Sequence, residues 1–122
     1  MSLNSVLNQL RQFRVIPIVR ASIPEFAATA IEWLSEAGLR TFEITMTIPG
    51  AVELITQYAS REDILVSAGT GNIRRTGKAF PDAGARYLVS PCLVPHFPEI
   101  SHQRSAPCFL GALDPTELHD AV

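Results

Sequence analysis

Five short apolar runs recur along this chain at intervals too long for hairpins and long enough for a helix. They begin near residues 15, 41, 64, 86 and 108, so consecutive starts lie 26, 23, 22 and 22 residues apart. Antiparallel neighbours can be joined by a two-residue turn, whereas parallel neighbours need a crossover of a dozen or more residues, usually a helix. The spacing therefore predicts an α/β fold on a parallel sheet, either a closed (β/α) barrel or a doubly wound sheet. In both, ligands gather at the carboxyl ends of the strands.

Each run carries its own local signals. Val15-Ile16-Pro17-Ile18-Val19-Arg20 is a strand whose proline suits a strand start or a bulge. Ser22 and Glu25 read as a capping box. Behind it Phe26, Ala27, Ala30, Ile31, Leu34 and Ala37 recur at helical spacing until Gly38 supplies a stop. Strand Thr41 to Met46 leads to a helix opened by Pro49, and strand Ile64 to Gly69 leads through Thr70-Gly71-Asn72 into a third helix that Gly77 and Pro81 interrupt. Arg86 to Ser90 and Cys108 to Ala112 are strands four and five, with a short helix bracketed by Pro95, Pro98 and Pro107 between them. Ahead of all this, Val6, Leu7, Leu10 and Phe13 form one helical stripe, so residues 1–14 read as a helix that caps something apolar. The whole of 1–122 reads as one domain.

Composition excludes several classes. A net charge of −2 and a lone Arg74-Arg75 pair leave no basic footprint for nucleic acid. No apolar run reaches the roughly 18 residues of a membrane helix, and Asn4, Asn8 and Gln9 break up any signal-peptide core, which makes the cytoplasm the default location. Cys92 and Cys108 have no Cys-x-x-Cys partner and are expected to be two free, buried thiols. His96, His102 and His119 lack metal-site spacing and are expected to be solvated or to cap helices; neither a metal nor a cofactor is expected.

The residue with the most chemical content is Glu43, in the middle of Arg40-Thr41-Phe42-Glu43-Ile44-Thr45-Met46. Strand side chains alternate, so Phe42, Ile44 and Met46 share one face and Thr41, Glu43 and Thr45 the other. With helices on the apolar face, Glu43 looks either into solvent, as on any half-wet strand, or into a polar cavity where it becomes a reagent. The strand ends read Arg20, then Thr45-Met46-Thr47, then Gly69-Thr70-Gly71, then Ser90-Pro91-Cys92, then Asp114-Pro115-Thr116. A guanidinium and backbone N–H groups freed by glycine suit an anionic, oxygenated ligand.

Taken together, Val15 to Arg20, Phe42-Glu43-Ile44-Thr45, Ala68-Gly69-Thr70, Ala83-Gly84-Ala85 through Val89-Ser90-Pro91, and Pro115-Thr116-Glu117 resemble the 2-keto-3-deoxy-6-phosphogluconate/4-hydroxy-2-oxoglutarate aldolase family in order and in gaps, over about residues 15 to 120. The resemblance implies a TIM-type (β/α)₈ barrel, usually trimeric. It implies retro-aldol cleavage of a 2-keto-3-deoxy sugar acid phosphate to pyruvate and an aldehyde through a lysine Schiff base. By position, Glu43 resembles the general acid/base, Arg20 and Thr70 the residues that hold the oxygenated end of the substrate, and Pro91 with Gly69 the wall against which the keto acid packs. Thr47 stands where many members place a substrate-binding arginine. Ser67 and Cys92 stand where glycines are common, and Leu110 and Asp114 alter the usual Pro-Gly-x-x-Thr.

A full barrel of this type needs about 200 residues or more, so the 122 residues amount to an incomplete barrel of about five strand-helix units. The Schiff-base lysine that the resemblance implies belongs to a sixth strand. The one lysine here is Lys78, in the helix after strand three, and it reads as a solvated side chain. The chain alone is therefore expected to be inactive. Two other readings stand beside the aldolase: a five-stranded flavodoxin- or receiver-like binding module, and a homologue acting as an interaction subunit.

Overall fold

The computed structural model describes residues 1–69 and 82–122. Thr70, Lys78 and the third helix expected around them lie outside the described residues. The elements are α1 (Leu3–Phe13), β1 (Ile18–Val19), α2 (Pro24–Glu36), β2 (Thr41–Thr45), α3 (Ala51–Ala59), β3 (Leu65–Gly69), β4 (Tyr87–Ser90), α4 (Phe97–His102), β5 (Cys108–Leu110) and α5 (Pro115–Asp120). All five strands are parallel and lie in the order β1-β2-β3-β4-β5. A flavodoxin-type sheet reverses direction at a switch point, in the order 2-1-3-4-5. This one never reverses, as the wall of a barrel does not, so the receiver-like alternative fails on topology.

Strand alternation feeds two separate cores. Val19, Phe42, Ile44, Val66, Ala68 and Leu88 project outward and pack against Ala27 and Ile31 of α2, Leu54, Ile55 and Tyr58 of α3, and Phe97 of α4. On the opposite, axial face, Leu65 and Tyr87 pack against Val6 and Leu10 of α1, with Phe13, Ile16 and Val89 beside them. Because α1 covers the axial face and α2 and α3 the outer one, β2 and β3 are buried at every position. Each large apolar side chain so enclosed stabilises the fold by about 1.5–3 kcal/mol relative to exposure.

Local signals explain where the helices stop more fully than where they start. At the end of α2, the Leu39 N–H donates to the Leu34 carbonyl and the Gly38 N–H to the Ser35 carbonyl, both at 3.0 Å, with Gly38 at φ +100°. This paired closure needs a left-handed residue, and glycine adopts it without a Cβ penalty. The expected Ser22–Glu25 capping box does not form. Pro24 takes the first helical position, which a proline favours, so the N-cap falls on extended Ile23 and Ser22 stays exposed one residue outside. The inward stripe of α2 is also narrower than its periodicity suggests: Ala27 and Ile31 are buried, but Phe26 and Ala37 are exposed. A second correction concerns the thiols. Both cysteines are free, but only Cys108 is partly shielded; Cys92 lies beyond the end of β4 and is exposed.

Candidate active site

Residues paired in register on neighbouring strands project to the same side of a parallel sheet, so the axial face can be built up in rows. Thr41 and Leu65 form the lowest row. Above them Ile18, Glu43, Ser67 and Tyr87 align across four strands. Thr45, Gly69, Val89 and Phe109 form the row nearest the carboxyl ends. Glu43 thus stands on the axial face, and Phe42 and Ile44 lie against helices on the other, with Met46 packed at the margin of the same outer core.

The Glu43 side chain is 5% exposed and rises out of its own row to lie across Gly69. A Cβ at position 69 would fall 1.9 Å from the Glu43 Oε1 and 2.4 Å from its Cδ, so the carboxylate fills the space a side chain would take. Gly69 therefore acts first on Glu43: its bare backbone is the seat of the carboxylate. The strand beneath is pinned on both sides, by the Glu43 N–H donating to the Pro17 carbonyl and the Met46 N–H to the Gly69 carbonyl, each at 2.9 Å. Pro17, lacking an N–H, serves here through its carbonyl alone.

Burial pushes the Glu43 carboxyl above its ordinary pKa, and the positive charge of Arg20 opposes the rise without cancelling it. Of the two effects that the sequence sets against each other, desolvation wins, because Arg20 is itself exposed at the end of β1 and its field is screened by water. A carboxyl with a raised pKa takes up and releases protons closer to neutrality, which is what a general acid/base requires.

The other candidates surround the same end of the sheet. Arg20 directly follows β1, Thr47 lies just past β2, Gly69 closes β3 and Pro91 directly follows β4. Thr47 is exposed, but its hydroxyl lies 3.0 Å from that of fully buried Thr45, which ties the β2 end to the axial rows. Pro91 is exposed, and the backbone on either side of it is held in place: the Ser90 hydroxyl donates to the Cys92 carbonyl, and the Gly111 N–H donates to the Ser90 carbonyl at 2.8 Å. Among the described residues no group of three or more His, Cys, Asp and Glu side chains converges as metal ligands would, and no helix is long and apolar enough to cross a membrane.

Two polar residues in the Glu43 row escape motif-based reading. Ser67 and Tyr87 are fully buried, and among the described residues neither Ser67 Oγ nor Tyr87 OH has a hydrogen-bond partner. Burial raises the Tyr87 pKa strongly; the neighbouring serine, short of good hydrogen-bond geometry, opposes the rise, and the charge of Glu43 adds to it. Leaving a buried hydroxyl unsatisfied costs about 1–3 kcal/mol. The alternation that turns Glu43 to the axial face turns Ser67 and Tyr87 to it as well, on β3 and β4.

The chain matches the family model for KDPG and KHG aldolase over residues 6–122. It is 28% identical over 119 residues to the 2-dehydro-3-deoxy-phosphogluconate aldolase of Treponema pallidum, covering 97% of this chain and 57% of that protein. Among solved structures it is similar to the 2-keto-3-deoxy-6-phospho-gluconate aldolase of Zymomonas mobilis, with a TM-score of 0.80 and 24% identity over 98% of this chain and 56% of that one. It is also similar to the KDPG aldolase of Legionella pneumophila, solved with pyruvate captured as a covalent carbinolamine, with a TM-score of 0.76 and 24% identity over 86% of this chain and 52% of that one. The chain thus spans a little over half the length of the relatives it matches.

Proposed function

The chain belongs to the KDPG and KHG aldolase family, and on that premise we propose that it carries the acid/base part of a class I aldolase site acting on a 2-keto-3-deoxy sugar acid phosphate. The observation that supports this reading is the seat of Glu43: an axial carboxyl, nearly enclosed, laid over a glycine at the carboxyl end of the sheet. A 2-keto acid entering at that end would meet the Arg20 guanidinium as the partner for its anionic oxygens, with Thr47 and Pro91 around it; the resemblance adds Thr70, outside the described residues. Gly69 contributes by letting Glu43 reach the reacting carbon.

The chemistry requires an amine that adds to the keto carbon, forming a carbinolamine that loses water to give an imine. Glu43 delivers a proton to the departing hydroxyl and, as carboxylate, takes one from the substrate hydroxyl as the carbon–carbon bond breaks and the aldehyde leaves. The electron pair of that bond passes into the imine to give an enamine, which Glu43 reprotonates before hydrolysis releases pyruvate. A carboxyl poised between its two forms serves each of these transfers. We place the amine outside these 122 residues, since their one lysine is Lys78, nine positions along the sequence from Gly69 at the end of β3.

Borohydride reduction in the presence of pyruvate, followed by mass spectrometry, tests the assignment. The 122-residue chain should gain no reduced pyruvate adduct. A stoichiometric adduct on Lys78 would overturn the division of labour and make the chain a complete catalyst. We also propose that the chain works as a homo-oligomer, in the manner the resemblance implies; exposed Phe26 and Trp33 on α2 support a covered outer face.

A further inference from the structure

Glu43 does not account for the two hydroxyls in its own row. Ser67 is its in-register neighbour on β3, and Tyr87 is the in-register neighbour of Ser67 on β4. Both side chains are fully buried, and both lack a partner among the described residues. Below them the axial face is closed by Val6, Leu10 and Leu65, none of which can accept a hydrogen bond. On its far side the Tyr87 ring is braced edge-on by Phe109, with ring centroids 5.9 Å apart and an interplanar angle of 83°. The in-register neighbour of Ser67 on β2 is Glu43, whose carboxylate lies toward the next row, over Gly69, as the acceptor on that side.

We propose that Ser67 and Tyr87 are positioning residues for Glu43, forming a donor chain from phenol to serine hydroxyl to carboxylate that holds the carboxylate over Gly69. The proposal rests on the reading of Glu43 as the acid/base. In this arrangement the Tyr87 O–H donates to Ser67 Oγ and the Ser67 O–H donates to a Glu43 oxygen, so every proton has an acceptor. Closing both contacts asks Ser67 Oγ to lie between the phenol, beside which it already sits, and the carboxylate on the neighbouring strand. The charged or titratable groups that bear on Glu43 among the described residues are Arg20 from β1 and Tyr87 from β4. Donors aimed at a carboxylate favour its charged form and oppose the effect of burial. The chain would therefore restrain the rise in the Glu43 pKa and keep the carboxyl available in both forms.

The test is a pH titration of Glu43 in the full 122-residue chain, labelled with ¹³C at the glutamate carboxyl carbons and assigned with Glu43→Gln. Tyr87→Phe removes one oxygen and Ser67→Ala another, and both keep the buried volume nearly unchanged. Ser67→Ala should raise the Glu43 midpoint by about one pH unit, the size expected for loss of a hydrogen bond to a charged group. Tyr87→Phe should raise it by less, and the double variant should match Ser67→Ala, because the serine is the link. A midpoint that stays fixed or falls in Ser67→Ala overturns the proposal. The titration reads the carboxyl without turnover, so the functional reading fails separately: pyruvate binding that is indifferent to Glu43→Gln retires that reading, and a raised midpoint in Ser67→Ala still supports the coupling.

Discussion

β2 and β3 differ from β5 less in their residues than in their surroundings. The two central strands are buried at all positions, whereas β5 is only partly covered and α5 buries none of its residues. At the other margin Ile18 of β1 is 63% exposed, although it shares a row with nearly enclosed Glu43. A sheet residue is enclosed only when it has neighbours on both sides and a layer on each face. The centre has these from α1, α2 and α3. The margins have one neighbour each within this sheet, and so Glu43 and Gly69 lie where the fold is most complete.

The largest effect should come from emptying the centre. Phe42→Ala removes a fully buried ring from the outer core and should destabilise the chain by about 3–5 kcal/mol. Phe109→Ala at the β5 margin, where the ring is 40% exposed, should cost clearly less. Urea unfolding of both variants measures the contrast, and equal losses would break it.

Gly69→Ala probes the site without touching either core. The added methyl collides with Glu43 Oε1, so the carboxyl must swing away, at a cost of about 1–3 kcal/mol. Its pKa should return toward the ordinary carboxylate value as it reaches solvent. A folded Gly69→Ala chain with an unmoved Glu43 titration would show that the glycine is not the seat of the carboxylate.

The pH dependence of stability sharpens the same contrast. The folded-state pKa of Glu43 is raised above its unfolded value near 4.5, so the folded chain binds more protons in the window above that value. Stability from this group is therefore fully present below about 4.5 and declines as pH rises through the folded pKa. Glu43→Gln should flatten that decline in pH-dependent unfolding. An unchanged slope would place the titration elsewhere. The smallest effect belongs to the surface: removing the partly exposed Arg61, which pairs with Glu32 at 3.1 Å and Asp63 at 2.8 Å, should change stability by less than about 1 kcal/mol in the same urea assay.

The parallel order of the strands was legible in their spacing, because crossover length is a geometric requirement. The orientation of Glu43 was equally legible, since alternation across Phe42, Glu43 and Ile44 admits no other arrangement in a strand covered by helices. The start of α2 was not. Ser22 and Glu25 have the spacing of a capping box, but Pro24 between them takes the first helical position and moves the cap to Ile23. The end of β4 at Ser90 was legible, but the exposure of Cys92 just beyond it was not, because it depends on what packs around the loop. Ser67 and Tyr87 carry no motif; alternation turns each to the axial face of its own strand, but only strand register sets them in the row of Glu43.

The central claim is that a keto acid is received at the carboxyl ends of β1 to β4, above Glu43. Chemical-shift mapping of pyruvate on the ¹⁵N- and ¹³C-labelled chain tests it most directly. The account predicts saturable changes concentrated at Arg20, Glu43, Thr45, Thr47, Gly69 and the residues beside Pro91, weakened in Arg20→Ala. Changes confined to the opposite end, around Met1, Arg86 and Arg104, or none at all in a folded chain, would contradict it.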